Sequence, residues 1–177
     1  CSEYMFLDDT ACNLASLKLT AFYDERARSF DVDRYRHAVR LWTLTLEISV
    51  AMAQFPSKEI ARKSYDYRTL GLGYANLGTL LMLMGLPYDS AEGRAVAAAI
   101  SAIMTGEAYA HSARMAAAFG PFARFGANAD EMLRVMRNHR RAAYGVAAAE
   151  YEKLSVAPQG IDPAKAPAAL VESARAA

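Results

Sequence analysis

The chain has 177 residues and a mass of 19.3 kDa, with 54% hydrophobic residues, 22% charged residues and a mean hydropathy of +0.01. That composition excludes a disordered or collagen-like chain and suits one compact domain burying roughly two thirds of the surface its unfolded form exposes. Twenty Lys and Arg against nineteen Asp and Glu leave a net charge of +1, so no overall field selects nucleic acid or a membrane surface as a partner.

Two cysteines are too few for a disulfide-stapled secreted scaffold. The longest apolar run, Leu80 to Leu86, is broken by Gly85 and falls far short of the ~20 residues that span a bilayer. No charged-then-apolar leader opens the chain, and the expectation is a cytoplasmic protein without a membrane anchor. The chain opens on a cysteine and stops inside a helical pattern, as an internal segment of something longer would.

Alanine dominates: 37 residues, 20 of them between Ala91 and Ala149. Alanine loses no side-chain entropy in a helix, and Val and Ile are scarce, so the chain reads as mainly α. Residues 1–23 are the exception. Tyr4 to Leu7 reads as extended and Asp8-Asp9-Thr10 as a polar turn. Ala11 to Leu19 has mixed character and reads as irregular or hairpin-like, with a short helix possible from Asn13. Asp24 to Arg36 interleaves both charges and reads as a solvated loop and first helical turn.

Asp31 or Asp33 caps the first strong helix. Leu41, Leu44, Ile48, Ala51 and Phe55 form one apolar row, with Val39, Trp42, Leu46, Val50 and Ala53 beside it. Two adjacent rows predict a wide buried face, ended by Pro56. A second helix is expected from Arg68 to Met84, with small residues along one side and Gly85 stopping it. Asp89 with Glu92 opens a long Ala-rich helix to about Phe119, with a break possible near Gly106. Gly120-Pro121 is a turn, Asn128 caps the next helix, and a further one is expected from His139 to Lys153. Pro158 to Pro163 reads as a linker, followed by a helix from Ala164. The resulting division is 1–23, 24–157 and 158–177.

The glycines of Gly71-Leu72-Gly73-Tyr74-Ala75-Asn76-Leu77-Gly78 have the wrong spacing for a phosphate loop and read as helix packing. His37, His111 and His139 stand far apart without metal-ligand spacing. Arg137-Asn138-His139-Arg140-Arg141 is a basic cluster suited to offsetting a helix dipole, with a phosphate contact as the alternative. The opening tripeptide differs from these. On an extended backbone Cys1 and Glu3 project from one face, so a reactive sulfur and a proton-transferring carboxylate can address one substrate. Cys12 lies eleven residues on, beyond a turn that can fold it back, although a buried structural cysteine is the default for such a residue.

The run from Cys1 to Leu17 resembles the active-site finger of class II, adenosylcobalamin-dependent ribonucleotide reductase. Arg68-Thr69-Leu70-Gly71-Leu72-Gly73-Tyr74-Ala75-Asn76-Leu77-Gly78, Leu86-Pro87-Tyr88-Asp89-Ser90 and the Arg137 to Gly145 stretch are also similar to that family, in order. The resemblance implies a place in a ten-stranded α/β barrel with the finger through its centre. It implies Cys1 as the thiyl-radical cysteine, Glu3 as the acid-base carboxylate and Cys12 as one half of the redox pair that reduces the substrate. It implies adenosylcobalamin as cofactor, whose cobalt–carbon homolysis yields the radical that reaches Cys1. A ribonucleoside di- or triphosphate as substrate and a thioredoxin-like or glutaredoxin-like reductant are implied by the same likeness. The family's Asn two positions before Cys1, the partner cysteine, the specificity and phosphate-binding loops and the C-terminal shuttle cysteines are not in these residues. The expectation is therefore an internal segment, inactive alone and prone to self-association. The rivals are a class I reductase large subunit, disfavoured by the short gap from Cys1 to Cys12, and a non-catalytic helical interaction module.

Overall fold

A computed structural model describes residues 7–11 and 13–177. The first regular element is strand β1, Asn13–Lys18, with burial that alternates toward its end as a half-covered strand requires. A single 3-10 turn, Leu19–Phe22, comes next, then a two-residue antiparallel ribbon of β2, Tyr23–Asp24, and β3, Ser29–Phe30. The turn between them is closed by Asp24 Oδ1, which accepts from the backbone N–H groups of Arg26 and Ala27. The charged stretch is thus a tight hairpin that leads into a helix, rather than a plain loop.

Helix α1, Val32–Met52, is capped by Asp31, whose carboxylate accepts from Arg34 N at 2.9 Å. It ends four residues before Pro56. Only one of the two expected apolar rows is buried: Val39, Leu46 and Val50 join Tyr35 and Thr43 against the core. Leu41, Leu44, Ile48 and Met52 face outward, and Trp42 is also exposed. The rows are equivalent by spacing, and packing selects one.

Helix α2, Lys58–Tyr67, is not foreseen by the sequence pattern; Ser57 caps it by accepting from Ile60 N. The expected helix over 68–84 is two elements. Leu70–Ala75 is strand β4, and only Leu77–Met84 is helical (α3). β4 pairs in parallel with β1 from Asn13↔Leu70 to Lys18↔Ala75. Gly71 and Gly73 cost a helix about 1 kcal/mol each, whereas in β4 their bareness has a use. A Cβ on Gly71 would collide with the Leu14 side chain and stand 3.2 Å from Asn13 O on the neighbouring strand. Asn76 in the left-handed region separates β4 from α3, and Gly85, at φ 74°, ends α3 as predicted.

Helix α4, Ala91–Phe119, is capped by Ser90 rather than Asp89 and runs unbroken through Gly106. Ala95 and Ala99 let other helices approach closely, and Val96, Ile100 and Ile103 are buried with them against neighbouring elements, among which α1 and the C-terminal helix pack on α4. Helix α5, Phe125–Tyr144, begins three residues before Asn128, which donates its amide to Arg124 O instead of capping. It continues through His139, so the expected break and second helix are absent; Gly145, at φ 64°, ends it. Helix α6, Ala168–Ala176, buries Leu170, Val171 and Ala174 beside α4 and α5. Those residues and Ile161 belong to the same core as Leu17, Leu19, Val39 and Leu80. Phe22, Phe30 and Tyr35 cap one end of it with edge-on ring contacts of 5.1 and 5.3 Å to Tyr35. Among the described residues, no helix is long and apolar enough to cross a membrane.

Candidate active-site cleft

Cys1, Glu3 and Cys12, the candidate site residues, lie outside the described residues. The structure does show how both neighbours of Cys12 are held. On one side the Ala11 N–H donates to Ser64 Oγ of α2 at 3.0 Å, and Ser64 is buried. On the other, Asn13 Nδ2 donates to Leu46 O and to Ser49 Oγ of α1, each at 2.7 Å. Ser49 in turn donates to Leu46 O at 3.0 Å, so the three groups form a closed set.

The preceding turn is anchored too. Thr10 Oγ1 donates to Leu7 O at 2.6 Å, and Asp9 takes a left-handed conformation at φ 59°. Lys63 of α2 reaches across to Asp8 O at 2.9 Å and to the Asp9 carboxylate at 3.3 Å. The polar turn read from the sequence is present. The residues that hold it come from α2, which spacing does not reveal; the cue is Ser57 standing just after Pro56, a cap without a recognised helix behind it.

Arg68 ends α2 in the left-handed region and its guanidinium is held in place. Nε donates to Glu47 Oε1 at 2.6 Å and Nη2 to Glu47 O at 3.3 Å, while the Tyr65 ring lies 4.9 Å from its centre. This ties the start of β4 to α1, close to the Asn13↔Leu70 register. Between these anchors lies a cleft of about 160 Å³, lined by Ala11, Asn13, Val50, Ala53, Phe55, Ser64 and Thr69. It is below the ~300 Å³ of a small ligand pocket, so these lining groups alone do not enclose a nucleotide or a corrin. Among them, Ser64 and Asn13 fix the backbone at residues 11 and 13.

The other sequence candidates separate in space. The three histidines lie on α1, α4 and α5, and among the described residues no group of three or more His, Cys, Asp or Glu side chains is placed to hold a metal ion. The basic cluster is structural. Arg137 and Arg141 grip the Glu152 carboxylate, and Asn138 exchanges two hydrogen bonds of 2.9 Å with the Glu152 backbone. Hydrogen bonds from Arg137 and then Arg141 hold the Glu152 carboxyl down at about 2.

Residues 1–164 match the family model described as the barrel domain of ribonucleotide reductase. The chain is 65% identical to a vitamin B12-dependent ribonucleotide reductase of Agrobacterium fabrum over 89% of its length, and 61% identical to one of Bradyrhizobium diazoefficiens over its full length. A ribonucleoside-diphosphate reductase large chain of Cryptosporidium parvum is 28% identical over 68% of the chain. The chain spans 12% and 14% of the length of the first two relatives. On the extent of the family match and on these identities, the chain belongs to the barrel-domain family of ribonucleotide reductases.

Proposed function

We propose that the chain is a segment of the catalytic polypeptide of an adenosylcobalamin-dependent ribonucleotide reductase, a cytoplasmic enzyme converting ribonucleotides to deoxyribonucleotides. The observation that carries the reading is the match over residues 1–164, a span that contains Cys1, Glu3 and Cys12. The identity of 61–65% to B12-dependent relatives, against 28% to the diphosphate reductase large chain, favours the cobalamin-dependent class. The parallel β1–β4 pair, with both outer edges unpaired among the described residues, is what two neighbouring staves of a ten-stranded barrel supply.

In this reading Cys1 carries the radical sulfur and removes the 3′-hydrogen of the ribose, while Glu3 takes the 3′-hydroxyl proton. The 2′-hydroxyl leaves as water with a proton from the redox thiols, C2′ takes up a hydrogen in its place, and Cys1 finally returns the hydrogen to C3′. Cys12 and a partner cysteine elsewhere in the longer polypeptide give up two electrons and close a disulfide, which a thioredoxin-like or glutaredoxin-like protein reopens by thiol exchange. Disulfide closure needs Cα atoms roughly 4.4–6.8 Å apart. Double anchoring at Ala11 and Asn13 supports that role, because it fixes the backbone on both sides of the thiol. Adenosylcobalamin, when bound, supplies the radical. The cleft beside residue 12 is too small to enclose it.

The substrate is a ribonucleoside di- or triphosphate. Alone, the 177 residues reduce no nucleotide, and the exposed stripe Leu41, Leu44, Ile48 and Met52 supports their self-association. The test is Cys1→Ser in the full-length reductase. Tritium exchange from the 5′ position of the cofactor is expected to vanish, and retained exchange removes Cys1 from the radical role.

A further inference from the structure

The N-terminal half of α1 and the middle of α4 carry a charged cluster that the thiol chemistry does not use. Glu107 is buried in α4, with 2% of its surface exposed. Its Oε2 accepts from Arg36 Nε at 2.7 Å, and its Oε1 accepts from Arg40 Nη1 at 3.0 Å and from Arg114 Nη2 at 3.2 Å. Burial alone would raise its carboxyl pKa; the hydrogen bonds from Arg36 and Arg40 outweigh burial and hold it below the usual carboxylate value.

One guanidinium neutralises one carboxylate, and three leave a formal excess of +2. Glu107 has both oxygens occupied. Each arginine has five N–H donors, and among the described residues each gives only one to a protein acceptor. Within these 177 residues the three side chains stay partly exposed, at 31%, 35% and 58% for Arg36, Arg40 and Arg114. His111 stands one helical turn beyond Glu107, and its Nδ1 is buried without a partner among the described residues. Burial, with Arg114 and Arg40 next in effect, lowers its pKa, which leaves it uncharged at neutral pH.

We propose that Arg36, Arg40 and Arg114, gathered by Glu107, form a surface site for a phosphate-class dianion. The physical case has three parts. A doubly charged tetrahedral anion cancels the excess, and guanidinium forks match phosphate oxygens. Glu107 has already immobilised the three long side chains, so the ligand does not bear that ordering cost. From Arg40 to Val50 is about 15 Å along α1 at 1.5 Å per residue, so the site is distinct from the cleft beside Cys12. Being open, it binds the phosphate group itself.

The test is equilibrium dialysis of radiolabelled orthophosphate against the full-length reductase, comparing the wild type with Arg114→Gln and Arg114→Lys. Arg114 is the choice because Arg36 and Arg40 still satisfy Glu107 when it is lost; unchanged thermal unfolding confirms the fold. The expected result is one phosphate site weakened about tenfold in R114Q and partly restored in R114K, with KM and kcat for the ribonucleotide unchanged. Identical binding curves for wild type and R114Q, or no saturable binding in the wild type, overturn the proposal. So does a matching rise in KM, which would make the cluster part of the substrate site. AMP binding the same site more tightly than orthophosphate identifies a nucleotide as the source; equal affinity identifies free phosphate.

Discussion

Asn13→Ala tests whether the anchoring beside Cys12 is what positions it. The side-chain amide makes two hydrogen bonds of 2.7 Å, to Leu46 O and to Ser49 Oγ, in a partly buried setting. Each is worth roughly 0.5–1.5 kcal/mol net, and an abandoned buried acceptor adds to that. Here the abandonment is mild, because Ser49 Oγ still donates to Leu46 O at 3.0 Å. The expected loss is therefore about 1–2 kcal/mol, or a fall of roughly 2–8 °C in Tm for a domain of this size. Urea unfolding gives the stability directly. The functional reading is sharper: with thiol reductant, the full-length Asn13→Ala enzyme should lose kcat while KM for the ribonucleotide stays put, since the Asn13 amide is spent on Leu46 and Ser49 of α1 and acts by orienting the chain. Asn13→Asp retains acceptor atoms but lacks the donors and should not rescue. A variant within about 0.3 kcal/mol of wild type, at full kcat, would refute the anchoring argument.

Packing and charge give two further expected outcomes. Gly160→Ala should destabilise by about 1–3 kcal/mol in urea unfolding, because the new Cβ would sit 2.7 Å from Gly145 Cα and 3.1 Å from Ala142 O, backbone atoms that cannot swing aside; an unchanged midpoint would contradict the close approach. For Glu152 the folded carboxyl is held at about 2 by Arg137 and Arg141, below its ordinary 4.5. Its contribution is thus full above pH 4.5 and lost as the pH falls toward 2, so Glu152→Gln should flatten that part of the acid-unfolding curve, and a curve parallel to wild type there would exclude the clasp.

Local signals are legible where one short-range force decides. Asp31 as cap, Gly85 and Gly120-Pro121 as stops, and the long alanine helix all reflect backbone preferences that act within a turn or two. The misreadings share a cause. The Gly71–Gly78 stretch fits a helical stripe by spacing, and only the presence of β1, far earlier in the chain, makes its first half a strand; a parallel ladder across that separation leaves no periodic trace in either partner. The choice between the two rows of α1 is also non-local, since Val39 and Leu46 are inside only because α4 lies on their side. Helix α2 and Ser64 escape a sequence reading because their work is done on residue 11, at a distance of 53 positions. Chemistry inverts this order. Cys1, Glu3 and Cys12 are proposed from residue type, spacing and a family likeness, none of which is a folding rule. The anchors Asn13 and Ser64 are ordinary residues by composition and acquire a role only once β1, α1 and α2 meet. A cysteine can be proposed as reactive from the sequence, but the hydrogen bonds that hold Ala11 and Asn13 on either side of it exist only in the fold.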